Sequence, residues 1–237
     1  MLEVFGKGIL RKPFLNGKKI IAARKDFEKN APFCEKCAIL ELVCLEEVLM
    51  SYQEDFRSIF QQHVTRKGAD KLLAWLEQGD FFTAPASTRY HLAEDGGLCL
   101  HSLHVYDRLD RLVKQECLEV SQESVAICGL LHDLCKAGFY KKEMRNVKVN
   151  GAWQERPYFS IEDQFPYGHG EKSVFLRERF IRLTSEEAIA IRWHMGGYDE
   201  AVKGGSYAIN NAYNLFPLAV CLHIADVQAT YLDEVKH

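Results

Sequence analysis

The stretch Ala126-Ile127-Cys128-Gly129-Leu130-Leu131-His132-Asp133 ends a continuous apolar run with an imidazole and a carboxylate. The run has the length of a buried helix, and Gly138 shortly beyond it is a suitable C-terminal cap. The sequence therefore predicts a helix over Glu123–Lys136 that carries two polar side chains into the core. Because burying an unpartnered carboxylate or imidazole is costly, we expect His132 and Asp133 to share a partner there.

Two further apolar runs carry a polar residue in the same way. His194 follows Ala188-Ile189-Ala190-Ile191, and Asp226 follows Leu218-Ala219-Val220-Cys221-Leu222. Any one such residue is more often a hydrogen-bonded core residue than a ligand. Three apolar helices that each hold one favour a shared metal ion instead, and imidazole with carboxylate suits Mn, Fe, Zn or Ni.

The remaining pattern predicts a mostly α fold, a helical bundle with one inserted β-hairpin. Asn150-Gly151 separates two runs with strand character, and this signal predicts the hairpin at about residues 141–161. A short irregular N-terminal extension, residues 1–37, precedes a main domain over residues 38–237. Helices are predicted from apolar spacing over Ala38–Met50, Asp70–Gln78, Leu98–Val113, Glu123–Lys136, Glu171–Ile181, Ser185–Met195 and Phe216–Glu234.

Composition and charge exclude several classes of protein. The chain has 237 residues, with 30 Lys plus Arg against 33 Asp plus Glu, and its formal net charge of −3 gives no general attraction for nucleic acid. Its apolar runs are too short to span a bilayer, and Met1–Leu10 lacks the apolar core of a signal peptide. We therefore expect a cytoplasmic protein without membrane contact, whose eight cysteines are reduced.

The cysteines suggest one further metal site. Cys34-Glu35-Lys36-Cys37 has the spacing of zinc ligands, and Cys44 lies nearby. A structural zinc site needs about four ligands, and the chain has no second pair of this kind. Free thiols are the default interpretation, with zinc as the alternative. Small core residues are expected at Cys99, Cys128, Cys135 and Cys221.

The order of the polar residues resembles that of a known family. His101, then His132-Asp133, then Asp226 is similar to the ligand order of the HD superfamily. Leu131–Lys136 resembles its central motif, in which a lysine commonly follows the aspartate by three positions, and Gly96–Leu103 resembles the stretch around its first ligand. The resemblance covers roughly residues 81–233. It implies an HD-domain-like helical fold with metal-dependent phosphohydrolase activity.

The chain departs from the family pattern in three places. Cys135 stands where many members have glycine, and the hairpin insertion, Lys141–Ile161, is not part of the common helical core. The N-terminal extension is not explained by the resemblance. Members that degrade nucleic-acid strands often carry an added nucleic-acid-binding domain, and no dedicated domain of this kind is visible here.

The resemblance also implies a binuclear metal site and a reaction. One divalent ion would be held by His101, His132, Asp133 and Asp226. A second would be held by His169 and His194, with Asp133 bridging both; the ions would be Fe, Mn, Ni, Zn or Mg. They would lower the pKa of a shared water, so that hydroxide forms near neutral pH and attacks phosphorus. Asp133 and Lys136 are the implied catalytic residues, although Lys136 is equally well a solvated lysine at a helix end.

The expected substrate is a small phosphorylated or nucleotide-like molecule. His91 and His104 lie close in sequence to the first ligand, while Lys141 and Arg145 lie in the hairpin, and all four are candidate substrate contacts. His104 is nearly as well interpreted as a surface residue, and His91 is a candidate only because of its nearness in sequence. The hairpin is tethered near the metals at both ends and is expected to act as a lid.

Two other functions agree with the same residues. A minority of HD-type proteins are di-iron oxygenases with the same ligands, and oxygen dependence distinguishes these from hydrolases. A non-catalytic, ligand-binding regulatory HD module is the other alternative, but degenerate modules usually lose ligands, and here all six positions are intact. Structural or exposed roles are expected for His63, His223 and His237.

Overall fold

The computed structural model describes residues 35–149 and 151–235, with side chains from Leu49 onward. The chain divides into two units, residues 1–46 and 47–237, and the second unit is described here. Residues 1–34 of the expected N-terminal extension, including Cys34, lie outside the described residues, as do the side chains of Cys37 and Cys44. Asn150 and His237 also lie outside them.

Helices form most of the described chain, and a two-stranded antiparallel hairpin accompanies them, as the sequence predicts. Short 3₁₀ turns follow two of the helices, at Leu134–Lys136 and Gly196–Tyr198, and a π-helical segment ends the fold at Ala229–Glu234. The helices are α1 (Glu35–His63), α2 (Ala69–Gln78), α3 (Gly97–Gln115), α4 (Gln122–Leu131), α5 (His169–Glu178), α6 (Ser185–Arg192), α7 (Glu200–Lys203), α8 (Ala208–Leu215) and α9 (Pro217–Gln228).

Helices α3, α4 and α9 pack closely through their apolar faces. Where α4 approaches α3, the contact is made by Gly129. Helix α3 packs against α4 and α9, and α9 also packs against α6. A Cβ atom at Gly129 would lie 2.6 Å from the Cα atom of Tyr106, so only glycine permits this approach of α4 to α3. Leu109, Ile127 and Leu222 are fully buried between these helices.

Several helix ends differ from the sequence prediction, and two of these differences concern the polar residues. Helix α4 ends at Leu131, not at Lys136, because the chain turns at His132-Asp133 before the 3₁₀ turn. Helix α6 ends at Arg192, not at Met195, so His194 lies in the turn that follows. A side chain in such a turn does not have to follow the apolar face of the helix. It can therefore face a site inside the bundle.

The hairpin consists of β1 (Tyr140–Val149) and β2 (Ala152–Ile161), and pairing of Val149 with Ala152 closes it. This confirms the hairpin predicted from Asn150-Gly151. Contacts at its base fix it to the helices: Lys142 Nζ lies 2.6 Å from Asp95 Oδ2, and the Tyr140 hydroxyl donates to the Ala86 carbonyl. Residues 152–157 are exposed, and the Trp153 ring is 71% exposed rather than packed on a helix.

Within the described residues, no single helix is both long and apolar enough to cross a bilayer. Among the described residues, one pair of helical segments, Ala208–Leu215 and Pro217–Glu234, reaches the length and apolar composition of a membrane span when the two are combined, and the pair is bent.

Candidate metal centre

Five parts of the helical bundle contribute side chains to one buried cluster. His101 comes from α3, and His169 is the first residue of α5. His132 and Asp133 come from the turn after α4, and His194 comes from the turn after α6. Asp226 lies in the last turns of α9. The fold therefore brings together the six residues that the sequence proposed as metal ligands: His101, His132, Asp133, His169, His194 and Asp226.

Asp133 lies at the middle of this cluster, with a different pair of histidines near each carboxylate oxygen. Oδ2 lies 3.6 Å from His101 Nε2 and 3.5 Å from His132 Nε2. Oδ1 lies 2.8 Å from His169 Nε2 and 3.4 Å from His194 Nε2. A carboxylate in this arrangement can bridge two cations, one on each side.

Asp226 completes the group on the Oδ2 side. Its Oδ1 atom lies 3.3 Å from His101 Nε2, and its carboxylate also lies within 4.8 Å of the ligand atoms of His132 and His194. The ligand atoms of His101, His132 and Asp133 form a second group within the same limit. His194 belongs to the group that contains Asp226, and its Nε2 atom also lies 3.4 Å from Asp133 Oδ1, so it can serve either side of the Asp133 carboxylate.

The ring orientations of two histidines leave their inner nitrogens free to bind a cation. His132 Nδ1 donates to the Gly129 carbonyl at 3.0 Å, and His194 Nδ1 donates to the Ile191 carbonyl at 2.6 Å. Each Nε2 atom then carries a lone pair that points into the cluster. His194 Nε2 is fully buried and has no hydrogen-bond partner among the described residues. A buried acceptor of this kind fits a metal ion.

Glu234 is part of this site, and the sequence argument missed it. Its two carboxylate oxygens lie 3.0 and 3.1 Å from His101 Nδ1, so it fixes the ring with Nε2 facing Asp133 and Asp226. A carboxylate behind a metal-binding imidazole orients the ring and increases its basicity. Spacing did not indicate it, because a π-helical segment lies between Asp226 and Glu234 and breaks the regular helical period.

The carboxylates bring an excess of negative charge to the cluster. Burial opposes ionisation of Asp133, but Lys136 and His132 outweigh it and hold the pKa of that carboxyl well below its ordinary value. Burial likewise opposes ionisation of Asp226 and Glu234, and in both cases His101 outweighs it and lowers the pKa. Besides Lys136, protons on His101 and His169 balance this charge, since the pKa of each imidazole is raised to about 10. Divalent cations could take the place of those two protons, so the residues present fit a metal centre.

His101 responds to the same excess of negative charge. Burial alone lowers the pKa of an imidazole, yet Glu234 and Asp226 outweigh it and raise the pKa of His101 to about 10. The side chain is 1% exposed. This environment favours positive charge at His101 Nε2, which is where a metal ion would bind.

Lys136 contacts the bridging carboxylate directly. Its ammonium nitrogen lies 2.6 Å from Asp133 Oδ2, and the side chain is only 13% exposed. Burial lowers the pKa of Lys136, but the charge of Asp133 outweighs this effect, and the net pKa is raised. The lysine is therefore a charged group of the cluster, and not the solvated lysine of the alternative interpretation.

Two of the proposed substrate contacts lie around Glu234, on the Nδ1 side of His101. His104 Nδ1 lies 2.9 Å from Glu234 Oε1. The His91 ring lies 4.9 Å from the His101 ring, and its Nε2 atom is 3.9 Å from Glu234 Oε2. Burial, followed by the charges of His101 and Lys136, lowers the pKa of His91 to about 4.

The other two proposed contacts lie on the hairpin and already have neighbours there. Lys141 Nζ lies 3.4 Å from Glu143 Oε1, and the Arg145 guanidinium lies 5.1 Å from the centre of the Tyr158 ring. Tyr158 in turn donates to Glu143 at 3.0 Å. The structure does not bring Lys141 or Arg145 to the walls of the cleft described next.

A cleft of about 610 Å³ reaches the cluster at His169, the ligand with the most exposed side chain, at 31%. Cys135 also lines it, and its Sγ atom lies 3.4 Å from His169 Nδ1. Cys135 is buried as predicted, but its contact with His169 was not anticipated. Charged side chains on the cleft walls are Asp163, Glu171, Lys172, Arg192, Asp199, Glu200 and Lys203.

The cysteines with described side chains are free thiols, as expected for a reduced protein. Cys99, Cys128, Cys135 and Cys221 are buried, which agrees with their predicted place in the core. Burial raises the pKa of Cys99 to about 12, so this thiol stays protonated.

Comparison with known proteins identifies no relative: no protein-family model, curated protein or solved structure matches the chain.

Proposed function

We propose that this chain is a metal-dependent phosphohydrolase of the HD type, acting in the cytoplasm on phosphate esters or anhydrides. The observation that carries the proposal is the position of Asp133, whose two carboxylate oxygens each face a different pair of histidines. A shared carboxylate with separate ligand groups on its two sides is the arrangement that a binuclear hydrolytic centre requires.

The residues divide into two holding groups and one charged neighbour. His101, His132, Asp133 and Asp226 would hold one ion, while His169 and His194 would hold the second together with Asp133. Bound there, the ions would supply Lewis acidity that activates water and neutralises phosphoryl oxygens. Lys136 carries a positive charge beside Asp133 and would stabilise negative charge that develops on the phosphoryl group.

The cleft supports a small substrate. Its volume of about 610 Å³ is in the range of sites for small ligands, and it meets the ligand group at His169. The net charge of −3 gives long polyanions no general attraction. We therefore propose a phosphorylated, nucleotide-like substrate with its phosphate near His169 and the rest of the molecule in the cleft.

The first experiment is metal analysis of protein purified without chelators, followed by assays on a panel of phosphomonoesters, phosphodiesters and nucleotides. We expect up to two divalent ions per chain and hydrolysis that a chelator abolishes. Asp133→Asn should abolish hydrolysis. His63→Gln is the matched control, because His63 is a histidine outside the cluster, beside the Tyr106 ring.

Two results would oppose the proposal. Oxygen consumption by the anaerobically iron-loaded protein, without hydrolysis of any phosphate compound, would instead identify a di-iron oxygenase. Tight binding of a nucleotide without turnover under any metal would identify a regulatory module. Both alternatives use the same ligands, so metal content alone does not separate the three functions.

A further inference from the structure

Two exposed tyrosines lie beside the proposed metal centre. Tyr198 follows His194 by four residues and is 55% exposed, and Tyr231 follows Asp226 by five residues and is 50% exposed. Neither residue is needed to hold a metal ion. Both come from irregular turns, because Tyr198 ends a 3₁₀ turn and Tyr231 lies in the π-helical segment.

The cleft connects Tyr198 to the ligand group. Tyr198 lines the same cleft as His169, together with Met195 and Phe139. The walls of the cleft therefore include an exposed aromatic ring and a proposed ligand of the metal centre. A molecule that fills this cleft meets both.

Tyr231 is joined to this wall by a hydrogen bond with Tyr198. The hydrogen bond raises the pKa of the Tyr231 hydroxyl, and the negative charge of Asp226 adds to the effect. Both side chains remain about half exposed although their hydroxyls are joined.

We propose that Tyr198 and Tyr231 form an aromatic subsite that stacks on the base of a nucleotide substrate. This inference rests on the proposed function and names the substrate class of the same site. Rings with paired hydroxyls and open faces bind flat aromatic groups with little loss of side-chain entropy. A cleft whose walls include both an exposed tyrosine and a proposed ligand of the phosphate-binding centre fits a mononucleotide or short dinucleotide. Stacking tolerates different bases, because every base has a π-face.

The test compares substrates with and without a base. Adenosine 5′-monophosphate, uridine 5′-monophosphate and ribose 5-phosphate are assayed with the wild-type protein and with Tyr198→Ala and Tyr231→Ala. We expect Tyr198→Ala to raise KM for both nucleotides by roughly 10-fold or more, with kcat and metal content little changed. KM for ribose 5-phosphate should stay the same. Tyr198→Phe keeps the ring and should stay close to wild type.

Tyr207→Ala is the matched control. Tyr207 is 80% exposed and lies outside the walls of the cleft, so its loss should leave KM for every substrate unchanged. Equal effects of Tyr198→Ala on nucleotides and on ribose 5-phosphate would overturn the subsite. Unchanged nucleotide KM in both alanine variants would overturn it as well.

A binding measurement separates failure of the subsite from failure of the proposed reaction. Adenosine, which has no phosphate, is titrated into the metal-loaded protein by calorimetry. If no phosphate ester is hydrolysed but adenosine binds and Tyr198→Ala weakens it roughly 10-fold, the subsite stands and the hydrolase proposal fails. If nucleotides are hydrolysed and Tyr198→Ala leaves adenosine binding unchanged, the subsite is wrong and the hydrolase proposal stands.

Discussion

The Nε2 atoms of His101 and His132 lie 3.2 Å apart, and both face the interior of the cluster. His132 Nδ1 donates to the Gly129 carbonyl, so its Nε2 atom carries a lone pair, and His101 Nδ1 contacts Glu234. Because the pKa of His101 is raised to about 10, a proton on His101 Nε2 can be shared with His132 Nε2. A metal ion bound to both rings would take the place of that proton, so the pair marks the proposed position of the first ion.

Loss of the shared carboxylate should remove both ions. Asp133→Ala leaves neither ligand group complete, so elemental analysis should find almost no metal and hydrolysis should be abolished. Because metal binding contributes to the stability of the folded state, Tm should fall as well. Asp107→Ala is the control, since Asp107 pairs only with its helical neighbour Arg111 at the surface. Two equivalents of metal in Asp133→Ala would show that Asp133 is not the bridge.

The second ion should be removable by itself. His169 Nε2 and His194 Nε2 face Asp133 Oδ1, on the side away from His101 and His132. The double variant His169→Ala/His194→Ala should keep about one metal ion, held by the other four ligands, and its rate should fall sharply. Atomic absorption and steady-state assays measure the two effects. Unchanged metal content and rate would show that the centre is mononuclear.

Glu234 is expected to act through His101 as a positioning residue. Glu234→Gln removes the charge that fixes the ring and should weaken binding of the first ion by about 10- to 100-fold. Asp233→Asn is the matched control, because the neighbouring Asp233 forms an ion pair with Arg108 at 2.6 Å, away from the ligands. A competition titration with a coloured chelator gives both affinities.

Rescue distinguishes positioning from packing at Glu234. Glu234→Asp keeps the charge and should recover part of the metal affinity that Glu234→Gln loses. If Glu234 only fills space, Glu234→Asp should lower the metal affinity as much as Glu234→Gln does. Equal metal affinity in Glu234→Gln and the wild-type protein would contradict the assignment.

Acid stability should depend on Glu187, which lies outside the metal centre. Its buried carboxylate accepts from Arg66 at 2.8 and 2.9 Å and from the Ser124 hydroxyl at 2.7 Å. Burial opposes ionisation, but Arg66 outweighs it and lowers the pKa below the ordinary value of 4.5. The stabilisation is therefore fully present above about pH 4.5 and is lost as the pH falls through the pKa of the folded protein.

Glu187→Gln should lower the free energy of unfolding near neutral pH by about 1–3 kcal/mol. It should also make this free energy depend less on pH in the acid range. Urea unfolding between about pH 3 and pH 7 measures both effects. Glu186→Gln, at the partly buried neighbouring position, should leave the curve unchanged. If the free energy of unfolding of Glu187→Gln depends on pH as it does in the wild-type protein, other carboxylates cause the loss of stability in acid.

The outer part of the hairpin should be dispensable for the metal centre. Replacing residues 144–157 by a short glycine-containing turn keeps the base of the hairpin, where Tyr158 donates to Glu143. The removed residues of β2 are exposed, so Tm and metal content should change little, while KM should rise if the hairpin closes over substrate. A loss of bound metal on trimming would show that the hairpin supports the ligands.

The sequence predicted the elements that depend on local pattern. The turn at Asn150-Gly151 and the apolar run before His132 are such patterns, and both correspond to elements of the fold. The predicted ligands converge because each apolar helix can bury only one face, which brings their polar residues to a common interior. Helix ends were less predictable, because α4 stops at Leu131 in favour of a turn that no propensity rule indicates.

Contacts set by tertiary packing were not predictable from the pattern. Glu234 occupies the last residue of a π-helical segment, whose wider turn breaks the spacing on which helical arguments rely. Cys135 was expected to be an ordinary core residue, and only the start of α5 at His169 brings an imidazole to its sulfur. In both cases the neighbour comes from a distant part of the chain.

The distance along the chain between the partners also has a consequence for folding. His101 and Glu234 are separated by 133 residues, and the proposed ligands between them come from four separate parts of the chain. Closing such long loops is entropically expensive, so the site can assemble only late in folding. In the native state, opening of any one of these parts would disrupt the ligand set. A spectroscopically visible ion such as Co²⁺ would then report sub-global opening of this bundle, wherever it starts.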